Sequence, residues 1–206
     1  MPIDDYDGNT FVAFLDISGF KTLMRDERRA LRALDQFYQA GYTVLQNQNL
    51  SEQPNSRVDG FFVSDSGILF VRSASEEPSP QLVRMLGVVQ QINRRVLRSD
   101  VMLTTSIAYG HFSYHGRLEF PGIEKNPIYG DAYVQAFLDN ENGRPRIQPG
   151  QCRLTKRNLP EANGNLVSHD RSPLFELLQN ERSHYQLDGG SKRRYRRIQE
   201  KVFRRI

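Results

Sequence analysis

The run Phe11–Leu15, FVAFL, places five apolar residues side by side and then meets the acidic Asp16. A run this short, carrying two Phe and a Val, predicts a buried strand rather than a helix. That strand is expected over about Thr10–Asp16, after a loose polar lead-in at residues 1–9. Leu31, Leu34, Phe37, Tyr38, Val44 and Leu45 then recur at helical spacing with Arg and Asp opposite, which predicts a helix from about Lys21 to Asn47 and a loop over 48–56. Arg57–Arg72 reads as a tight hairpin. Val58, Phe61, Phe62 and Val63 form one arm, Ile68, Leu69, Phe70 and Val71 the other, and Ser64-Asp65-Ser66-Gly67 the turn. Beyond the polar linker Ser73–Pro80, the stripe Leu82, Leu86, Val89, Ile92 and Val96 predicts a second helix from about Pro80 to Arg98. Met102–Gly110 reads as a strand, with a further antiparallel arm over Phe112–Phe120. Tyr129–Asn140 reads as a short helix with Ala132, Ala136 and Phe137 inward, ended by Asn142-Gly143-Arg144-Pro145, and Gln151–Thr155 as an edge strand. After a loop over 158–169, Pro173–Gln179 starts another short helix. The last stretch sets Tyr195, Ile198, Val202 and Ile206 on a helical face amid Arg and Lys.

The order strand, helix, strand, strand, helix, strand is the βαββαβ plan of a ferredoxin-like α+β sheet. Right-handed crossovers put the first strand in the centre, beside the hairpin, and bring Asp16 and Asp65 to one end of the sheet. A carboxylate at the end of a buried strand is costly unless its charge is compensated, and a divalent cation compensates it well. Ser18-Gly19 lets the backbone turn and turns amide N–H groups toward an anion. The competing reading is a plain strand-to-helix turn with Asp16 as a helix cap.

Composition narrows this only in part. The 206 residues suffice for one domain with an appendage, and the formal charge is +4. The excess is local: Lys192–Arg205 carries eight basic residues against one acidic residue. That balance suits anionic ligands of any kind. The sequence has no leader pattern and no apolar run long enough for a bilayer, and its single cysteine, Cys152, forbids an internal disulfide. A cytoplasmic protein is expected, with Cys152 a buried, inert thiol. His111, His115, His169 and His184 lack ligand spacing and are expected to be structural or surface groups.

Asp16-Ile17-Ser18-Gly19-Phe20 resembles the first signature of the class III nucleotidyl cyclases. Val63-Ser64-Asp65-Ser66, Ser106-Ile107-Ala108-Tyr109-Gly110 and Tyr129-Gly130-Asp131-Ala132 resemble three later stretches of that family, in the same order. The compact chain is most similar to the Pycsar pyrimidine cyclases of antiphage defence. The resemblance implies a cyclase-like catalytic domain over residues 1–170 and a C-terminal helical, basic extension over 171–206, packed on it. It implies a homodimer with active sites between subunits, two divalent ions (Mn²⁺ or Mg²⁺), and a nucleoside triphosphate substrate. It also implies a separate effector that reads the cyclic product without necessarily touching the cyclase. Asp16 and Asp65 are the expected catalytic and metal-binding carboxylates, with the Ile17 carbonyl as a further ligand. Phe14, Ser18, Gly19, Phe20, Lys21 and Phe61 are the expected nucleotide contacts.

The departures from the family pattern carry as much information. Phe61 and Pro127 stand where purine cyclases have base-reading polar side chains, and neither can make those hydrogen bonds. Phe61 either stacks on a smaller pyrimidine, with UTP ahead of CTP, or simply packs the hairpin. Val134 and Leu138 stand where the family's partner-donated Asn and Arg belong, which leaves Arg144, Arg146 and Lys156 as nearby cations. Tyr109, Phe112 and Tyr114 are expected at a dimer interface, with base stacking as the alternative. The rival functions are a purine cyclase, a catalytically dead regulatory domain, and a ferredoxin-like RNA-binding module.

Overall fold

The computed structural model describes residues 3–51, 56–73, 77–120, 123–125, 127–155 and 158–160. Lys156, His169, His184, the helix expected at Pro173–Gln179 and the basic C-terminal extension lie outside the described residues. The elements run β1 (Tyr6–Ile17), α1 (Phe20–Leu23), α2 (Glu27–Ser51), β2 (Ser56–Val63), β3 (Ser66–Ser73), α3 (Pro78–Arg98) and β4 (Leu103–Tyr114). Then follow β5 (Arg117–Phe120), β6 (Ile123–Lys125), β7 (Ile128–Tyr129), α4 (Asp131–Asn142) and β8 (Cys152–Leu154). The main sheet has the order β2-β3-β1-β4-β7, all neighbours antiparallel, and β8 joins β4 in parallel. This is the expected α+β, βαββαβ arrangement with β1 central. β5 and β6 form a separate two-stranded ribbon.

Because β1 is central, it is buried on both faces, which is why its apolar run is unbroken. Phe11, Ala13, Leu15 and Ile17 face α2 and α3 in the larger core, whereas Val12 and Phe14 face α4 in a second, smaller core. Asp16 continues the second set, so its side chain points to the α4 side.

Several boundaries differ from the sequence reading. The lead-in is not loose: Tyr6–Asn9 belong to β1 and pair with His111–Tyr114 of an equally long β4. The first helix is two helices, separated at Met24–Asp26, and the second continues to Ser51. Of the expected stripe Phe37, Val44 and Leu45 are buried and Leu34 and Tyr38 pack against the core, but Leu31 is exposed and Ala30, Ala33 and Ala40 fill out the buried side. Small side chains let α2 lie close to the sheet, so the apolar stripe runs through alanines. The expected segments Met102–Gly110 and Phe112–Phe120 are a single strand to Tyr114 followed by β5. Tyr109, Phe112 and Tyr114 do not form an interface set. Tyr109 packs on Phe11 at 4.8 Å between ring centroids, on the α2 side. Phe112 and Tyr114 are buried within the same chain against Phe70. Cys152 is buried and in no disulfide, as expected. Among the described residues no helix is long and apolar enough to cross a membrane.

Candidate active site

Asp16 and Asp65 meet at one end of the sheet because two ladders converge there. β3 pairs Asp16 with Ser66, and the Ile17 amide donates to the Asp65 carbonyl at 3.0 Å. The hairpin turn is only Ser64–Asp65, tighter than expected, and Ser64 takes a left-handed φ of 55°. Ser66 Oγ donates to Asp16 Oδ1 at 3.2 Å. The Asp16 carboxyl is pushed up from 3.8 to about 7, first by burial, then by the negative charge of Asp65 and, less, of Glu141; the Ser66 hydrogen bond only partly offsets this. Burial beside a second carboxylate raises a carboxyl in this way, and a divalent cation held there would lower it again.

Next to it opens a cavity of about 310 Å³ lined by Asp16, Ser18, Gly19, Lys21, Arg146 and Asn140, among others. Gly19, with φ 74°, makes the left-handed step that starts α1. Among the described residues the amides of Gly19, Phe20 and Lys21, at the start of α1, donate to no backbone carbonyl. Ser18 is 5 % exposed and lines the cavity, and its buried hydroxyl has no hydrogen-bond partner among the described residues. The Ser18 amide differs from expectation: it donates to the Met102 carbonyl at 2.9 Å and is not free for an anion.

Of the expected nucleotide contacts, Ser18, Gly19 and Lys21 line this cavity, and Phe14, Phe20 and Phe61 do not. Phe14 is buried edge-on against Phe137 at 5.2 Å, and its carbonyl accepts from Asn140 Nδ2. Phe61 stacks on Tyr114 at 5.5 Å with the rings 24° from parallel. The sequence reading missed Asn140 and Glu141. They close the cavity because α4 is pinned to β4: Thr104 Oγ1 donates to Asn140 Oδ1 at 3.1 Å and Ser106 Oγ to Asp139 Oδ2 at 2.6 Å. Thr104 and Ser106, polar residues on the α4 side of β4, were the available signal. Val134 and Leu138 are 46 % and 48 % exposed on the outer side of α4, with Phe137 at 37 %.

Two hard carboxylate ligands and an adjacent hydroxyl suit Mg²⁺ or Mn²⁺. No group of three or more His, Cys, Asp or Glu side chains among the described residues could hold a metal by itself. A site of this kind takes its remaining ligands from substrate phosphates and water, and the donor set fits that role.

No family model and no curated protein matches the sequence. The fold is that of the class III adenylyl and guanylyl cyclase domains. Among solved structures, the chain is similar to the dimeric guanylyl cyclase domain of the RhoGC fusion protein from Blastocladiella emersonii, with TM-score 0.56, 12 % identity, and coverage of 75 % of this chain and 82 % of that one. It is also similar to the guanylate cyclase domain of RhGC from Catenaria anguillulae in complex with GTP, with TM-score 0.55, 12 % identity, and coverage of 74 % and 80 %. A class III adenylyl cyclase-like ATP-binding protein from Pseudomonas aeruginosa matches at TM-score 0.55 and 11 % identity, over 84 % of this chain and 40 % of that one. At such identity the likeness establishes the fold, and the chemistry must be argued from the side chains.

Proposed function

We propose that the chain is a nucleotidyl cyclase that converts a pyrimidine nucleoside triphosphate, UTP ahead of CTP, to the 3′,5′-cyclic monophosphate. The observation that carries this is Asp16 beside Asp65, its carboxyl displaced to about 7, opening on a cavity walled by Ser18, Gly19 and Lys21. In the reaction the ribose 3′-hydroxyl loses its proton to water as its oxygen bonds to the α-phosphorus, and the bond from that phosphorus to the α–β bridging oxygen breaks, pyrophosphate leaving with the bonding pair. Asp16, Asp65 and the Ile17 carbonyl would hold two divalent ions, which when bound supply neutralising charge and a more acidic 3′-hydroxyl. The free amides of Gly19, Phe20 and Lys21, the Ser18 hydroxyl and the Lys21 ammonium orient the phosphate tail and hold it against water.

Base choice rests on what is absent. Phe61 and Pro127 offer no donor or acceptor side chain to a purine edge. The stacking of Phe61 on Tyr114 favours its packing role, so selectivity for the smaller base comes from lost purine contacts rather than from a made pyrimidine contact. A cavity of about 310 Å³ lies at the low end of small-molecule sites, roughly 300–1,000 Å³. It suits a phosphate tail better than a whole nucleotide. The exposed apolar strip Val134, Phe137 and Leu138 supports a homodimer in which the partner subunit completes the base side. The defence role and the separate product-reading effector belong to the same proposal.

The test is incubation of the pure protein with Mn²⁺ and each of the four triphosphates, with products identified by mass spectrometry. Cyclic UMP as the main product, lost to background in Asp16→Asn and Asp65→Asn, is the expected result. Cyclic AMP or cyclic GMP as the main product would overturn the pyrimidine reading. The absence of any cyclic product from folded wild-type protein would overturn the enzyme. A plasmid-borne copy is expected to restrict phage plating only with Asp16 intact.

A further inference from the structure

A triphosphate beside Asp16, Asp65 and Glu141 needs more positive charge than Lys21 gives. The segment joining α4 to β8 supplies it. Arg146, Ile147 and Pro149 of that segment form part of the wall of the Asp16 cavity. Of the cations that the sequence left open, Arg144 does not line the cavity and Arg146 does. Among the described residues Arg146 makes no ion pair, so its guanidinium is uncommitted.

The segment is also fastened. Arg153, on β8 and 5 % exposed, donates from Nε to Asp139 Oδ2 at 2.8 Å, from Nη2 to the Asp139 carbonyl at 3.0 Å, and from Nη1 to the Pro145 carbonyl. Ser106 donates to the same Asp139 oxygen. The buried charge of Arg153 is therefore paired, and one guanidinium ties the end of α4 to the residue immediately before Arg146. Gly143 makes room for this: a Cβ there would overlap Arg153 Nη2 and the Asp139 carbonyl oxygen.

We propose that Arg146, supplied by this same chain, is the cation that binds the phosphate oxygens of the substrate, and that Arg153 is the positioning residue that fixes the loop presenting it. The proposal rests on the cyclase reading. A planar guanidinium suits two phosphate oxygens at once, which an ammonium does not. Fixing the loop before binding lowers the ordering cost when the ligand arrives.

The test measures the affinity of wild type, Arg146→Ala, Arg146→Lys, Arg153→Lys and the double variant Arg146→Ala/Arg153→Lys for inorganic pyrophosphate with Mg²⁺, by calorimetry. Turnover of the preferred triphosphate is followed in parallel. Arg146→Ala is expected to melt like wild type, because Arg146 is exposed, and to bind pyrophosphate at least tenfold more weakly, with Arg146→Lys intermediate. Arg153→Lys is expected to show a similar loss but to add less than twofold in the Arg146→Ala background, because it acts through Arg146. Affinity within twofold of wild type for Arg146→Ala would overturn the phosphate contact. Fully additive losses would overturn the positioning role. If Arg153→Lys does not fold, Gly143→Ala takes its place in the cycle. A wild type that binds pyrophosphate and makes cyclic product, with Arg146→Ala unchanged, sinks this inference alone; a wild type that does neither sinks the cyclase reading as well.

Discussion

Replacing Asp16 by Asn should make the metal-free protein more stable, and the pH dependence of the gain is fixed by the structure. The Asp16 carboxyl titrates at about 7 in the folded chain, mainly through burial and the neighbouring Asp65, against an ordinary value of 3.8. Between those values the folded state keeps a proton that the unfolded state has released, so stability falls as pH rises through the interval. Below about pH 4 both states are protonated and the cost is absent. Above about pH 7 both are ionised and the cost is complete. A displacement of about 3 units at 1.36 kcal/mol each is about 4 kcal/mol. For a chain of this length that corresponds to roughly 8–16 °C in Tm at pH 8 in EDTA. At pH 5 the difference shrinks to about 1.5 kcal/mol, because the unfolded carboxyl is then only about one unit past its own pKa. Thermal melts of both proteins from pH 4 to pH 8 measure this directly. Saturating Mn²⁺ should then raise the wild-type Tm, by the equivalent of about 2.7 kcal/mol at a hundred times Kd, and raise that of the variant less. Equal melting temperatures at pH 8 without metal, or a gap that does not change with pH, would refute the reasoning.

Two further outcomes follow from the packing. Gly130 has φ 125° where α4 begins, and a Cβ there would overlap the His111 carbonyl oxygen; Gly130→Ala should cost roughly 1–3 kcal/mol in urea unfolding, and no change in the midpoint would count against the close approach of α4 to β4. Val134→Glu together with Leu138→Glu should leave the melting temperature near wild type, since both side chains are exposed. It should convert the proposed homodimer to a monomer in sedimentation velocity; a wild type that sediments as a monomer would refute the homodimer, and a dimer unchanged by the substitutions would remove α4 from its interface.

How legible was this protein in its own sequence? The unbroken Phe11–Leu15 run announced a strand buried on both faces, and β1 is central with a core on either side. The order of elements, with right-handed crossovers, was enough to put Asp16 and Asp65 at one rim. The ladder Asp16↔Ser66 and the Ile17–Asp65 hydrogen bond realise that placement. These features rest on periodicity, turn chemistry and chain topology, all of which are local or combinatorial and so are written along the chain.

What the tertiary structure decided depends on partners far away in sequence. Whether Tyr6–Asn9 is a tail or a strand depended on β4 being long enough to pair with it. The inward side of α2 went to Ala30, Ala33 and Ala40 rather than Leu31 because the fit to a sheet favours small side chains where backbones approach. The Ser18 amide was taken by Met102, Phe14 and Phe61 were spent on packing, and Arg146 lies at the cavity on a loop that Arg153 joins to α4. A sequence shows which groups a residue carries; which of them stay free for a ligand is settled only after the folded chain has satisfied its own hydrogen bonds and closed its own cores.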